Sequence, residues 1–164
     1  MTTEHPIMAH VPHLRRYARA LAKHEVEADD LVQDTLERAL RKFSLWQQGT
    51  NLRAWLFSVM HNLYVNQVRS KQEMAPLDDD MDIPVGGRQE EGLRIRDLST
   101  SLLALPLEQR EVLLLVGLEN FSYEDVAQTL GIPLGTVMSR LSRGRERLRR
   151  LLDGSTKPNL SVVI

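Results

Sequence analysis

Arginine and hydroxyl side chains recur along one stretch near the end of the chain, residues 134–152. This stretch carries six arginines against one acid, Glu146, so its net charge is +5. Guanidinium groups donate paired hydrogen bonds to guanine edges and phosphates, and serine and threonine hydroxyls also reach bases or phosphates. The apolar residues recur at helical spacing: Val137, Leu141, Leu148 and Leu152. The pattern predicts an amphipathic helix whose basic side contacts a polyanion.

A short helix and a tight turn are predicted just before this basic helix. Ser122 is placed to cap a helix over residues 123–130, with Asp125 in the capping-box position. Gly131 ends that helix where a left-handed residue is wanted, and Pro133 prevents its continuation. Two helices at this spacing, the second one basic, are typical of a helix-turn-helix that enters the DNA major groove. The alternative is a surface helical hairpin whose arginines are only solvated.

Length and composition allow one large or two small domains in 164 residues. Residues 76–98 carry seven acids against three basic residues, whereas both flanking parts are mildly basic, which indicates two modules and a linker. The chain has no cysteine, which excludes disulfides and thiolate chemistry and suits a reducing compartment. The N-terminal residues do not resemble a signal peptide, and no run approaches the ~20 apolar residues of a membrane span.

Helical periodicity without strand-like alternation predicts an all-α first module. A helix begins at Pro12, a second near Glu27 and a third at Leu52, ending near Lys71. The second helix has a continuous core stripe: Ala28, Leu31, Val32, Thr35, Leu36, Ala39, Leu40 and Phe43. The third is apolar on two faces, which predicts a central position in a small bundle. Residues 1–11 are expected to be frayed, and the spacing of their histidines does not predict a metal site.

The second module is predicted to begin where helix resumes at Leu98. The linker before it, residues 72–97, is acidic, contains proline and glycine and has no period, which predicts flexibility. Pro106 occupies a first helical position, and an apolar run over residues 112–118 packs beneath the helix-turn-helix. The role of the apolar C-terminal residues 160–164 is not indicated by their pattern.

Three stretches, in this order, resemble the extracytoplasmic-function sigma factors, group 4 of the sigma-70 superfamily. They are ADDLVQDTLERALRKF (28–43), NLRAWLFSVMHNLYVNQVRS (51–70) and the stretch from LPLEQREVL to the end of GTVMSRLSRGRERLRRLL (105–152). The resemblance implies an all-α fold with two small helical domains, a region 2 bundle and a region 4 helix-turn-helix, joined by a flexible acidic linker. The implied bounds are 1–75, 76–98 and 99–153, followed by a tail over 154–164.

The resemblance also implies three sets of contact residues. The −35 element would be read by the basic helix, through Thr136, Ser139, Arg140, Ser142, Arg143, Arg145, Arg147 and Arg149. A flipped base of the −10 element would be held by a loop and two helix residues: Trp46, Gln47, Gln48, Gly49, Thr50, Asn51, Asn62 and Arg69. Core polymerase would contact Asp30, Gln33, Asp34, Glu37 and Arg41, which otherwise form a solvated face.

The partners that the resemblance implies are the core RNA polymerase (its β′ clamp and β flap), promoter DNA and an anti-sigma factor. The resemblance implies no cofactor, no metal, no enzymatic activity and no membrane insertion. It implies a cytoplasmic location, in which an anti-sigma factor could hold the chain at a membrane. The alternative is a stand-alone helix-turn-helix regulator that binds duplex DNA. Met138 and Ser142 depart from many members of the family, so the −35 sequence itself does not follow.

Overall fold

The computed structural model describes residues 4–74 and 90–154, and all regular structure in these two ranges is helical. Short 3₁₀ turns cover Pro6–His10 and Phe43–Leu45. The α-helices are α1 (Val11–Leu21), α2 (Glu25–Arg41), α3 (Leu52–Met74), α4 (Glu90–Ala104), α5 (Leu107–Gly117), α6 (Tyr123–Leu130) and α7 (Leu134–Gly154). Within the described residues, none of these helices combines the length and the apolar character that crossing a membrane requires.

The first domain is a three-helix bundle in which α2 packs against both α1 and α3. The predicted stripes of α1 and α2 form its core, including Leu14, Tyr17 and Leu31. The expectation that residues 1–11 are frayed is wrong for the 3₁₀ turn, because Ile7 is completely buried there. A single isoleucine in a polar segment has no period, so its burial carries no signal in the sequence.

The predicted core stripe of α2 holds except at its end. Thr35 is buried, and its hydroxyl donates to the carbonyl of Leu31 at 2.7 Å, which satisfies this polar group inside the core. Leu40, in contrast, is 52% exposed. It lies one turn after the half-buried Leu36, on the edge of the stripe, where no other described helix covers it. The prediction that Leu40 belongs to the core is therefore wrong.

The second domain contains α4 to α7, and α4 begins at Glu90, eight residues before the predicted start at Leu98. The sequence at the start of α4 contains two acids, Glu90 and Glu91, a residue type that is favoured at helix starts. The prolines and glycines that precede them in the sequence dominated the composition of the predicted linker and obscured this helix start. The rest of the predicted linker and the tail from residue 155 lie outside the described residues.

The helix-turn-helix is built as its sequence predicts. The Ser122 hydroxyl accepts a hydrogen bond from the Asp125 amide at 3.0 Å and caps α6. Gly131 ends α6 with φ +68°, in the left-handed region. In α7, Gly144 is buried against α5, where an added Cβ would lie 3.2 Å from Leu113 Cδ1. Glycine at this position allows α7 to lie close to α5.

The two domains pack directly against each other, chiefly through α3 on α6 and α1 on α5. Phe57 of α3 lies between Tyr17 of α1 and Phe121 of the second domain, with ring centroids 5.1 Å away on either side. This arrangement explains why α3 is apolar on two faces. One face completes the three-helix bundle, and the other covers the second domain.

The left-handed conformation of Gly131 gives a stability prediction. Gly131→Ala should lower the free energy of unfolding by about 1–2 kcal/mol, because an L side chain is strained at this φ although its Cβ would meet open space. Gly131→Asn should cost less, since asparagine enters the left-handed region more readily. Urea unfolding followed by circular dichroism measures both values. Equal stability of the alanine variant and the parent would contradict this account of the turn.

Candidate nucleic-acid interface

The predicted DNA-reading face of α7 is exposed, and the apolar side of the helix anchors it. Val137, Leu141 and Gly144 are buried against the rest of the domain. The hydroxyl of the exposed Ser139 donates to the Thr136 carbonyl at 3.2 Å within the helix. The predicted contact residues that are exposed are Ser139, Ser142, Arg143, Arg145, Arg147 and Arg149, whereas Thr136 and Arg140 are half-buried.

Ion pairs divide the arginines of α7 into two groups. Arg149 and Arg150 both pair with Glu146, and Arg140 lies 3.8 Å from Glu108 of α5. The hydrogen bond from Arg149 lowers the pKa of the exposed Glu146 carboxyl, so this acid stays ionised at neutral pH. No acid within the described ranges pairs with the other three arginines, Arg143, Arg145 and Arg147. These three carry the uncompensated charge that attracts a polyanion.

A groove of about 910 Å³ separates α7 from α4. Its basic wall consists of side chains from α7: Arg143, Arg147 and Arg150. Thr100, Ser101 and Ala104 line the opposite wall on α4. The predicted contact residues therefore do not share one line along the helix. Thr136 and Ser139 lie near its beginning, and Ser142, Arg143 and Arg147 border or flank the groove further along.

The loop between α2 and α3 forms a second cavity, of about 310 Å³. Four residues predicted for base capture line it: Trp46, Gln47, Thr50 and Asn51. The remaining lining residues are Leu45, Ala54, Trp55, Ser58 and Gln128. The sequence did not predict Trp55, Ser58 or Gln128 for this cavity. One helical turn separates Asn51 from Trp55 and a second separates Trp55 from Ser58, so their side of α3 follows from periodicity, whereas Gln128 comes from the second domain and carries no such signal.

Hydrogen bonds within the loop hold this cavity in shape. Both the amide and the hydroxyl of Thr50 donate to the Gln47 carbonyl, which closes a turn that includes Gly49 at φ +92°. Asn51 caps α3 by accepting from the Ala54 amide at 3.0 Å. The indole nitrogen of Trp46 is buried and has no acceptor among the described residues. An aromatic ring beside hydroxyl and amide groups suits a planar polar ligand such as a nucleobase.

Two residues predicted for base capture lie away from this cavity. Asn62 and Arg69 are exposed on α3 and are not among the lining residues. Ser58 occupies the position one turn before Asn62 and lines the cavity instead. Gln48 and Gly49 are exposed in the loop without lining the cavity. The structure thus brings together half of the predicted set and adds five lining residues to it.

The predicted polymerase-binding residues share one exposed face of α2. Asp30, Gln33, Asp34, Glu37 and Arg41 are all exposed, as helical spacing predicts. Arg41 donates to Glu37, one turn before it on this face, at 3.0 Å. The face is therefore available to a partner and carries more acid than base.

The N-terminal histidines have other roles in the structure. The His5 ring nitrogen accepts from the Ile7 amide, and the ring packs against Phe43 at 4.4 Å. Burial, with smaller effects from Arg53 and His13, lowers the pKa of His10, so its ring is neutral at pH 7. The described residues contain no group of three side chains suited to hold a metal ion.

Comparison with known proteins matches both domains. A family model for the sigma2 domain of PhyR matches residues 7–61, and a model for sigma-70 region 4 matches residues 95–148. The chain is 40% identical to the ECF RNA polymerase sigma factor EcfG of Rhodopseudomonas palustris, over 91% of this chain and 85% of the relative. It is 35% identical to SigE of Mycolicibacterium smegmatis, over 89% of this chain and 60% of that protein.

Solved structures show the same helical arrangement. The sigma factor RpoE from Bartonella quintana, crystallised with the anti-sigma factor NepR, is 37% identical and aligns with a TM-score of 0.77 over 90% of this chain and 94% of RpoE. CnrH, in complex with the cytosolic domain of CnrY, is 26% identical with a TM-score of 0.68, over 90% and 85% of the two chains. Both similarities span the two domains together.

The double role of Asn51 can be tested by two substitutions. Asn51→Ala should lower the free energy of unfolding by about 1 kcal/mol, because the first turn of α3 loses its cap. Asn51→Asp should retain the stability of the parent, since aspartate caps equally well, but should weaken binding of single-stranded DNA because it lacks the amide donor and adds negative charge. Urea unfolding and fluorescence anisotropy measure the two effects. Unchanged DNA binding by the aspartate variant would limit Asn51 to its capping role.

Proposed function

Because the chain belongs to the family of extracytoplasmic-function RNA polymerase sigma factors, we propose that its two domains divide promoter recognition between them. It is an alternative sigma factor, a polymerase subunit that directs promoter-specific initiation. The observation that supports the division of roles is the presence, in one chain, of two separate surfaces whose side chains suit contacts with nucleic acid. One is the basic face of α7, and the other is the cavity at the loop between α2 and α3.

In the proposed arrangement α7 lies in the major groove of the −35 element. Its buried side fixes the helix on α5, so its polar side can be presented as a rigid surface. Arg143 and Arg145, which have no acidic partner among the described residues, are suited to guanine edges or phosphates. Arg149 is further along and already shares Glu146 with Arg150, which suits a phosphate contact.

The cavity of the first domain is proposed to hold a flipped base of the −10 element. Its volume of about 310 Å³ lies at the lower end of small-ligand sites. Trp46 supplies a ring for stacking, and the hydroxyls of Thr50 and Ser58 supply polar contacts. Taking a base out of the stack and holding it here would favour strand opening, because the flipped state gains contacts that the paired base lacks.

The exposed face of α2 is proposed to bind the β′ clamp of the core polymerase, and the second domain the β flap. Asp30, Asp34 and Glu37 give this face a negative excess that complements a basic partner surface. The acids of this face would repel phosphates, so the face differs in charge from both proposed DNA surfaces. Binding of core and binding of DNA therefore use different sides of the first domain.

An anti-sigma factor is the proposed regulator. RpoE of Bartonella quintana was crystallised with NepR and CnrH with CnrY, and both resemble this chain over both domains. A protein that associates with both domains would prevent the promoter contacts proposed above. The chain itself is proposed to act in the cytoplasm, and tethering to a membrane would come from the anti-sigma factor alone.

Transcription in vitro tests the proposal directly. Core RNA polymerase with the chain should initiate from its promoters, whereas core alone should not. The free chain should bind duplex DNA weakly and with strong salt dependence, because each domain contributes only a small surface. Tight sequence-specific binding by the free chain at physiological salt, without transcription, would instead support a stand-alone helix-turn-helix regulator.

Substitutions in α7 test how its arginines divide their roles. We expect Arg140→Ala or Arg143→Ala to cost about 1–3 kcal/mol and to relax the preference at one or two −35 positions, because a base contact carries sequence information. Arg149→Ala should weaken all promoters alike and reduce the salt slope by about one, as loss of a phosphate contact does. A randomised-promoter selection with polymerase present measures each preference.

The −10 preference serves as the internal control, because it belongs to the other domain. It should be unchanged in all three variants. A full −35 preference in both Arg140→Ala and Arg143→Ala, or a −10 preference that shifts with either, would overturn the assignment of α7.

A further inference from the structure

Glu119, in the connection between α5 and α6, is the most deeply buried acid that crosses between the domains. Its side chain has no solvent exposure, although it belongs to a surface loop of the second domain. Its carboxylate accepts from Arg16 Nε at 3.1 Å, from Arg16 Nη2 at 3.0 Å and from Arg53 Nη2 at 3.0 Å. Both arginines belong to the first domain. The second domain therefore places a carboxylate at the interface and the first domain supplies the charges that neutralise it.

Arg16 binds the Glu119 carboxylate through two hydrogen bonds, and Arg53 adds a contact with the backbone of Glu119. Arg53 Nη2 also donates to the Glu119 carbonyl at 2.7 Å, and its guanidinium lies over the Phe121 ring, 4.7 Å from the centroid. The neighbouring Asn120 has φ +58°, a left-handed conformation that turns the loop into this position. The hydrogen bonds to Glu119 raise the pKa of the Arg16 guanidinium above its ordinary value.

Further polar contacts cross the same interface. His61 of α3 shares a hydrogen bond with Glu111 of α5, another buried acid. Arg110 of α5 donates to the carbonyl of Leu21 at the end of α1 at 2.9 Å, while its other nitrogens bond carbonyls of its own domain. These contacts fix the orientation of one domain on the other, because directional hydrogen bonds at several separated points leave little freedom of rotation.

The interface closes over one nucleic-acid surface and leaves the other open. Gln128 of α6 lines the loop cavity together with Trp46 and Ser58 of the first domain. The Thr129 hydroxyl lies 3.5 Å from the Ala54 carbonyl, at the start of α3 beside the same cavity. The arginine face of α7 stays exposed in this arrangement. The packing of α6 on α3 therefore places the second domain at the edge of the base cavity, where the strand that carries a flipped base would approach, and leaves the basic helix open.

We propose that the chain closes onto its own base cavity, with Glu119 as the latch that Arg16 and Arg53 hold. The role of this closure in controlling base capture rests on the proposed function, whereas the closed packing of the two domains does not. In the closed state the carboxylate is buried and fully paired. Opening separates it from both guanidinium groups and moves α6 away from the edge of the cavity, so the strand that carries a flipped base can approach. A buried charge deprived of its partners is strongly disfavoured, so the closed state is sensitive to any change in these three side chains.

The test uses the full chain and a pair of matched charge reversals. Arg16→Glu places a like charge against Glu119, and the position is half exposed, so the core of the first domain is untouched. Arg15→Glu, at the adjacent exposed position of the same helix, makes the same change in net charge away from the latch. Glu119→Gln is the second variant, because it keeps the shape of the side chain and removes its charge.

The distance between the domains is the readout. The chain has no cysteine, so spin labels can be attached at two exposed positions introduced as Lys42→Cys and Glu124→Cys, one in each domain. Double electron–electron resonance should give one short, narrow distance distribution in the parent and in Arg15→Glu. Arg16→Glu should shift it to longer, broader distances, with an open-to-closed ratio raised about a hundredfold or more. Glu119→Gln should shift it in the same direction by about tenfold.

Circular dichroism must show parent-like helix content in each variant, and Glu119→Gln provides the result if Arg16→Glu fails this check. A broad, long distribution in the parent, or parent-like distances in a folded Arg16→Glu or Glu119→Gln variant, would overturn the latch. Transcription with core polymerase separates this from the proposed function. An open parent that still initiates contradicts only the latch, and a closed parent that never initiates contradicts only the sigma-factor role.

Discussion

The interface between the two domains depends on one buried carboxylate, that of Glu119. A charge removed from water is costly unless it is paired and hydrogen-bonded, and every charged partner seen for Glu119 lies in the first domain. The second domain thus contains a buried carboxylate whose charged hydrogen-bond partners come from the first domain. The loop conformation at Asn120 and the placement of Arg53 accompany this pairing, and α1, which carries Arg16, contacts α5 next to it.

The interface also explains the unusual character of α3. A helix in a three-helix bundle needs one apolar stripe, yet α3 carries two. Phe57 and Tyr64 turn one stripe toward Tyr17 and the second domain, while Leu56 and Met60 are buried with the bundle core. Because it is buried on both sides, α3 is the helix of the first domain that makes the most extensive contact with the second domain. The loop cavity lies at its N-terminal end, where both domains contribute.

The distribution of charge over this chain says more about its binding surfaces than the net charge does. The net charge is −1, yet α7 has a strongly basic face and α2 a mostly acidic one. The first attracts a polyanion and the second repels it, so the molecule can bind nucleic acid on one side and a protein on another. Ion pairs refine this picture, because Glu146 engages two arginines and leaves Arg143, Arg145 and Arg147 without an acidic partner among the described residues.

The sequence by itself determined what depends on neighbours along the chain. Helical periods, the Ser122 cap, the left-handed Gly131 and the basic face of α7 are local properties, and each appears as predicted. Composition averaged over the segment hid the start of α4, and a lone Ile7 had no period to reveal its burial. Only the tertiary structure decided that Leu40 is exposed, that Ser58 and Gln128 border the cavity in place of Asn62, and that Glu119 is buried. These outcomes depend on which helix lies opposite each side chain, and Glu119 meets Arg16 across 103 positions of sequence, a separation that no local pattern encodes.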